Sequence, residues 1–279
     1  MTTRKVKIAP TSLIVLAYAR KLYQSPVERE YLSRIDFDEV KEIVGKLDKV
    51  YPHGEQLIIL RKQFVRYTIA EEIARHTPLQ VIILGAGMDA LALHLVTTYP
   101  SSISRIIEVD NGYLMEKKEL YAELIPGEKK LHLVRCDITQ TDELMQQLAK
   151  EGYDPGEPAI IVFEGVIHYI TNAAFLTVME QFKTPDKRNL VILDYALPDE
   201  EVPEHALLPH RQMIQILESY VQRKLNINSS QQILDLVNIL DGQVHQVHSL
   251  QEIGQKVNGK NETFHQRGEG VLEMLSFYL

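Results

Sequence analysis

Cysteine is nearly absent: of 279 residues only Cys136 carries a thiol, so no internal disulfide can form, which fits a reducing compartment. Long apolar runs are missing too. The basic residues 1–7 lead into residues 12–19, a stretch too short and interrupted for a membrane span, and nothing else approaches the ~18 consecutive apolar residues a span requires. Positive charge is in deficit. Thirty Lys and Arg against 38 Asp and Glu leave a net charge of −8, which excludes a general nucleic-acid surface. No His, Cys and Asp cluster has metal-ligand spacing, so no metal is expected. Internal repeats and low-complexity segments are also absent. These absences predict a soluble cytoplasmic protein that engages neither nucleic acid nor membrane.

What is present is an ordinary globular composition, 45% hydrophobic and 24% charged, long enough for one large domain with an elaborated cap. The chain is organised around residues 81–90. Val81-Ile82-Ile83-Leu84 runs straight into Gly85-Ala86-Gly87, and the apolar stretch 91–96 follows. A continuous apolar, β-branched run suits a strand covered on both faces. Glycines at its end permit a tight turn and close approach of a ligand to the backbone, ahead of a helix N-terminus. The spacing fits a nucleotide-cofactor loop and suits dinucleotide enzymes and methyltransferases alike.

Residues 1–78 read as a helical cap: a helix over 13–22 capped by Thr11-Ser12, a short piece from Pro26, a helix from Asp36 to about Val50, and a long helix over 56–76 ended by Pro78. From 79 onward strands at 81–84, 105–109, 131–135, 159–163 and 189–193 alternate with helices at 90–98, 113–124, 142–151 and 173–182. That alternation predicts a doubly wound, mostly parallel α/β sheet in a second unit, 79–279. An insertion at about 197–241 is expected to hold an amphipathic helix and a second helix capped by Ser229-Ser230. Residues 270–279 read as a strand at the sheet edge beside 243–248.

Strands two, three and four end in acids: Asp110, Asp137 and Glu164. Ligands of open α/β sheets bind beyond the carboxyl ends of the strands. Three carboxylates there, with only Arg135 near in sequence, call for a ligand. An acid after the second strand suits a ribose diol, and one after the third suits an adenine amine. The alternative for Asp110 and Asp137 is that they only cap the following helices; Glu164 is a poor cap.

Gly85-Ala86-Gly87-Met88-Asp89, Glu108-Val109-Asp110, Cys136-Asp137 and Phe163-Glu164-Gly165-Val166-Ile167-His168-Tyr169, in that order, resemble the leucine carboxyl methyltransferase family of S-adenosylmethionine (SAM) enzymes. Residues 11–22 and Arg61-Lys62-Gln63-Phe64 are similar to its lead-in helices. The resemblance implies a class I, Rossmann-like SAM-dependent methyltransferase. Arg61 would grip the methionine carboxylate, Gly85, Ala86 and Gly87 would pass against the cofactor, and Asp110 would take the ribose hydroxyls. Asp137 with Ile138 would hold the adenine, and Glu164 would lie at the methionine end. One departure is Ala90-Leu91 after Asp89, where the family commonly has Thr-Arg. The chain is shorter than protein-methylating members, so the expected acceptor is a carboxylate or hydroxyl of a small molecule, in the manner of secondary metabolism. The alternatives are an NAD(P)-dependent oxidoreductase, a protein carboxyl methyltransferase and a non-catalytic SAM-binding protein. Candidates on the catalytic side are His168, Tyr195 and His210, with His205 of the same rank as His210. The insertion and the N-terminal helices are expected to form the acceptor pocket. The acceptor's identity and the oligomeric state are not legible.

Overall fold

A computed structural model describes Val6 and residues 10–279, the side chains of Pro10 and Thr11 excepted, so the expected Thr11 cap lies outside the described residues. The first helix begins at Pro10, and Ser12 sits inside it. Four helices precede the sheet: α1 (Pro10–Ala19), α2 (Pro26–Ser33), α3 (Lys41–Val50) and α4 (Gly54–Arg75). Ser25 starts α2 with a reciprocal capping box to Glu28, which satisfies two otherwise orphaned amide donors. Helix α4 buries residues on several sides, Leu57, Leu60, Arg61, Lys62, Phe64 and Ile69 among them. It is an interior helix with two of its cations, Arg61 and Lys62, buried.

The sheet alternates as the pattern predicts: β1 (Leu79–Leu84), α5 (Leu91–Thr98), β2 (Ile103–Asp110), α6 (Leu114–Leu124), β3 (Leu131–Arg135), α7 (Thr141–Lys150), β4 (Ala159–Phe163), α8 (Asn172–Glu180) and β5 (Leu190–Ala196). These five strands are parallel neighbours. Every residue of β1, β4 and β5 is buried, which explains their unbroken apolar runs. Strand β5 continues three residues past its expected end and takes Asp194 and Tyr195 into the sheet.

Beyond it lie α9 (Glu204–Val221), α10 (Ser230–Ile239), β6 (Gln243–Ser249), α11 (Leu250–Asn258) and β7 (Leu272–Tyr278). Ser229 caps α10 as expected, whereas α11 had no counterpart in the sequence reading. The strand order is β3-β2-β1-β4-β5-β7-β6. Strand β7 is therefore not the edge; it lies antiparallel between β5 and β6, and β6 is outermost. The order of burial agrees, since Leu272–Leu275 are buried while Gln243 and Val244 are exposed. The order of strands reverses between β1 and β4, so a crevice opens above their carboxyl ends. No helix among the described residues is long and apolar enough to cross a membrane.

Candidate functional site

A cleft of about 1060 Å³ occupies that crevice, at the upper end of the ~300–1,000 Å³ usual for small-ligand sites. All eight sequence-predicted cofactor residues line it: Arg61, Gly85, Ala86, Gly87, Asp110, Asp137, Ile138 and Glu164. Gly85 and Gly87 have φ of +69° and +46°, the left-handed region that a side chain disfavours. A Cβ on Gly85 would fall 2.6 Å from Val166 Cγ2, so the loop after β1 lies directly against the turn after β4.

The amides of this loop are already used. Gly85 and Ala86 N–H both donate to the Val109 carbonyl, at 2.8 and 3.0 Å. Gly87 N–H donates to Asp110 Oδ2 and Gly112 N–H to Asp110 Oδ1, each at 2.8 Å. Ala90 N–H donates to Asp89 Oδ1. A pyrophosphate wants free amides and no carboxylate at a helix start; here the amides of Gly85, Ala86, Gly87 and Ala90 are taken and Asp89 sits beside α5. Asp110 thus braces the loop rather than capping α6, whose N-cap is Tyr113. Asp137 does not cap α7 either, since its Oδ1 accepts from Thr139 N–H and Oγ1. It remains exposed at the cleft rim.

Of the three strand-end acids, only Glu164 meets cations among the described residues, and they are not the Arg135 that is near in sequence. Arg135 points away to the Asn111 carbonyl, and the neutralising charges come from α4. Arg61 Nε donates to Glu164 Oε1 at 2.9 Å and Nη1 to Asp194 Oδ2 at 3.2 Å. Lys62 Nζ donates to Glu164 Oε1 at 2.9 Å and Asp89 Oδ2 at 2.8 Å. Asp89 also accepts from the Tyr23 hydroxyl, and Asp194 from Gly165 N–H at 2.5 Å. Beneath the loop, Lys117, fully buried, donates to Glu108 Oε1 at 2.7 Å and the Gly87 carbonyl at 3.0 Å. Sequence reasoning missed Lys62, Asp89, Lys117 and Asp194 as parts of this site. One signal was present: α4 carries apolar residues at mixed spacing, so it is buried on several sides and its charges need partners.

This network also docks the cap. Burial alone would raise Asp89, yet the Lys62 ammonium and the Tyr23 hydroxyl hold it at about 2. Burial would likewise raise Glu28, but His94, Ser25 and Arg66 hold it at about 2. Asp194 is buried too, and Arg61, His168 and Gly165 pull it well below the carboxylate range. Carboxylates with depressed values contribute stability above their unfolded values, and that stability is lost as pH falls through the folded ones. We therefore expect acid to release Tyr23 and α2 from the sheet and its helices between about pH 4 and 2. Tyrosine near-ultraviolet dichroism would report the release. A signal unchanged down to pH 2 would contradict the assignment.

Of the catalytic candidates, only His168 lies at the cleft. It follows β4 in a single helical turn, Ile167–Tyr169, with Nε2 3.2 Å from Asp194 Oδ2. Nδ1 is buried without a partner among the described residues. Tyr195 lines neither the cleft nor the chamber beside it. Neighbours on a strand point to opposite faces, so Asp194 meets Arg61, Gly165 and His168, which line the cleft, while Tyr195 turns away and donates to Glu273 Oε2 at 2.7 Å. His210 lines neither space either: it is buried in α9 with Nε2 3.8 Å from Asp199, on a separate polar groove beneath that helix. His205 is exposed and pairs with Glu269 at 3.0 Å.

A second, apolar chamber of about 150 Å³ adjoins the cleft. Ile14, Leu57 and Ile58 of the N-terminal helices and Met213, Ile214 and Leu217 of α9 line it, and Arg61, Gly165, His168 and Tyr169 border both spaces. Among the described residues no group of three or more potential metal ligands occurs.

Residues 8–183 match the leucine carboxyl methyltransferase family. A protein of Frankia alni, provisionally named as an S-adenosyl-L-methionine-dependent methyltransferase, is 29% identical over 129 residues, 44% of this chain and 42% of that relative. The match thus spans less than half of that relative's length. Among solved structures, a protein of Thermobifida fusca provisionally described as a methyltransferase superposes with a TM-score of 0.68 at 13% identity, covering 95% of this chain and 93% of that one. The magnesium protoporphyrin IX methyltransferase of Synechocystis, crystallised with S-adenosylhomocysteine (SAH), superposes with a TM-score of 0.50 at 11% identity, over 85% of this chain and 94% of that one. At such identities these structures show a shared fold.

Proposed function

The chain belongs to the leucine carboxyl methyltransferase family, and from that premise we propose that it is a SAM-dependent O-methyltransferase acting on a small molecule. The observation that carries this reading is the state of the glycine loop. Its amides are spent on Val109 and Asp110, and Asp89 stands at the helix start. That loop repels a pyrophosphate and accommodates an uncharged ribose, which argues for SAM over NAD. Bound SAM supplies an electrophilic methyl group on a sulfonium sulfur. Asp110 would receive the ribose hydroxyls, and Asp137 with Ile138 would receive the adenine. Glu164 would offer negative charge to the cationic end, while Arg61, anchored by two acids, would turn its remaining N–H groups to the methionine carboxylate.

The acceptor would occupy the chamber between α9 and the N-terminal helices, as expected for the insertion. Closing that space excludes water and aligns the acceptor oxygen with the methyl group, an effect worth roughly 7–11 kcal/mol in favourable cases. Titration calorimetry tests the cofactor assignment: SAM and SAH should bind and NAD should not. Preferential binding of NAD would favour the oxidoreductase reading. Turnover of labelled SAM with candidate acceptors would separate an enzyme from a non-catalytic SAM binder.

A further inference from the structure

We infer that the acceptor is a neutral hydroxyl compound of single-ring size, seated in the apolar chamber with its oxygen toward the cleft, and that His168 takes its proton. This rests on the methyltransferase reading above. Three observations carry it. The first is size and lining. The chamber measures about 150 Å³, and an apolar protein cavity of roughly 150 Å³ stays dry and binds benzene. Its walls are mainly aliphatic, Ile14, Leu57, Ile58, Met213 and Leu217 among them, and the hydroxyls of Tyr18 and Tyr51, which also line it, already donate to Asp48 and to the Glu269 carbonyl.

The second is charge. Arg61, which borders both spaces, and Lys62, which lines the cleft, pair with the acids Asp89, Glu164 and Asp194, so the cluster has one more negative charge than positive. Arg61 is already paired with two carboxylates. With SAH bound, whose ammonium and carboxylate cancel, a carboxylate acceptor would add to that excess and meet repulsion, whereas a neutral hydroxyl would not.

The third is the imidazole. Nε2 lies against Asp194 Oδ2, an acceptor that calls for a proton on Nε2, so in the neutral ring Nδ1 is the nitrogen with the lone pair. Asp194 is itself fixed by Arg61 and Gly165. Nδ1 is buried and no described residue donates to it, while the ring borders both cleft and chamber. A hydroxyl in the chamber supplies the missing donor. In the transfer, an oxygen lone pair forms the C–O bond to the methyl carbon of SAM while the C–S bond breaks. Its electron pair goes to sulfur, giving the SAH thioether. The hydroxyl proton passes to His168 Nδ1, so the positive charge of the sulfonium ends on the imidazolium beside Asp194.

The test uses the full chain saturated with SAH and two probes of equal ring size, 4-methylphenol and benzoate. Calorimetry should show 4-methylphenol binding at least about tenfold more tightly than benzoate. Leu217→Trp, which fills the chamber, should remove most of that binding and leave SAH affinity within about twofold. With labelled SAM, 4-methylphenol should be methylated on oxygen, and His168→Gln should lower kcat about 100-fold or more while the probe still binds. Benzoate binding as well as the phenol, no binding of either probe, Leu217→Trp without effect, no methylation of 4-methylphenol, or an unchanged kcat in His168→Gln would each overturn the inference. Failure of the underlying reading is distinguishable, because SAH would then not bind before any probe is added.

Discussion

Arg61→Ala is expected to lower the stability of the folded chain by about 3–5 kcal/mol, the range found when one member of a buried ion pair is removed. Arg61 is almost fully buried and bridges Glu164 after β4 to Asp194 in β5. Asp194 is inaccessible to solvent. Without the guanidinium it keeps only Gly165 N–H and His168 as partners. A charge stranded in this way is costly because water cannot replace the lost partner. The double variant Arg61→Ala/Asp194→Asn should recover part of the loss, since the stranded charge goes with it. Urea unfolding of wild type and the three variants measures the coupling. Additive effects would mean that the bridge contributes little and that Arg61 serves ligand binding alone. The ligand role has its own signature. In whatever fraction remains folded, Arg61→Ala should weaken SAM more than methylthioadenosine, which lacks the amino-acid group; equal losses would remove Arg61 from the methionine end.

Asp110→Ala should weaken SAH binding about 100-fold, or roughly 2.7 kcal/mol. Two effects add. The carboxylate is the expected ribose partner, and a hydrogen bond to a charged group contributes roughly 1.5–3 kcal/mol. It is also the brace of the loop, because Oδ2 holds Gly87 N–H and Oδ1 holds Gly112 N–H. Without it Gly87 is free to leave its left-handed conformation, and the cofactor must bind a loop that is no longer preorganised. Asp110→Asn keeps one carbonyl oxygen as an acceptor and should lose less. Calorimetry with SAH decides the matter. A folded Asp110→Ala variant with unchanged affinity would make Asp110 a turn residue only.

The sequence by itself determined the parts that depend on neighbours along the chain. The apolar run Val81–Leu84 ending at Gly85 and Gly87 specified a buried strand and a tight turn, because burial on both faces and positive φ are local demands. Regular spacing of strands and helices implied the parallel sheet, and its topology then placed Asp110, Asp137 and Glu164 at one crevice. Ser229 announced α10 because a cap is chemistry over three residues.

Tertiary structure alone decided the rest, since the remaining contacts join residues far apart in sequence. Arg61 and Lys62 meet Glu164 across more than 100 positions, and no spacing rule reaches that far. Tyr195 and His210 are suitable residue types near the correct strand, but a strand alternates its faces and a helix turns. The continuation of β5 therefore put Asp194 against Arg61 and His168 of the cleft wall and turned Tyr195 the other way, and α9 presents Met213 and Leu217 to the chamber while His210 sits over another groove. Strand β7 reads as an edge strand in sequence, yet it pairs on both sides. Strand order depends on which apolar faces can be buried together, a property of the assembled core rather than of any one segment.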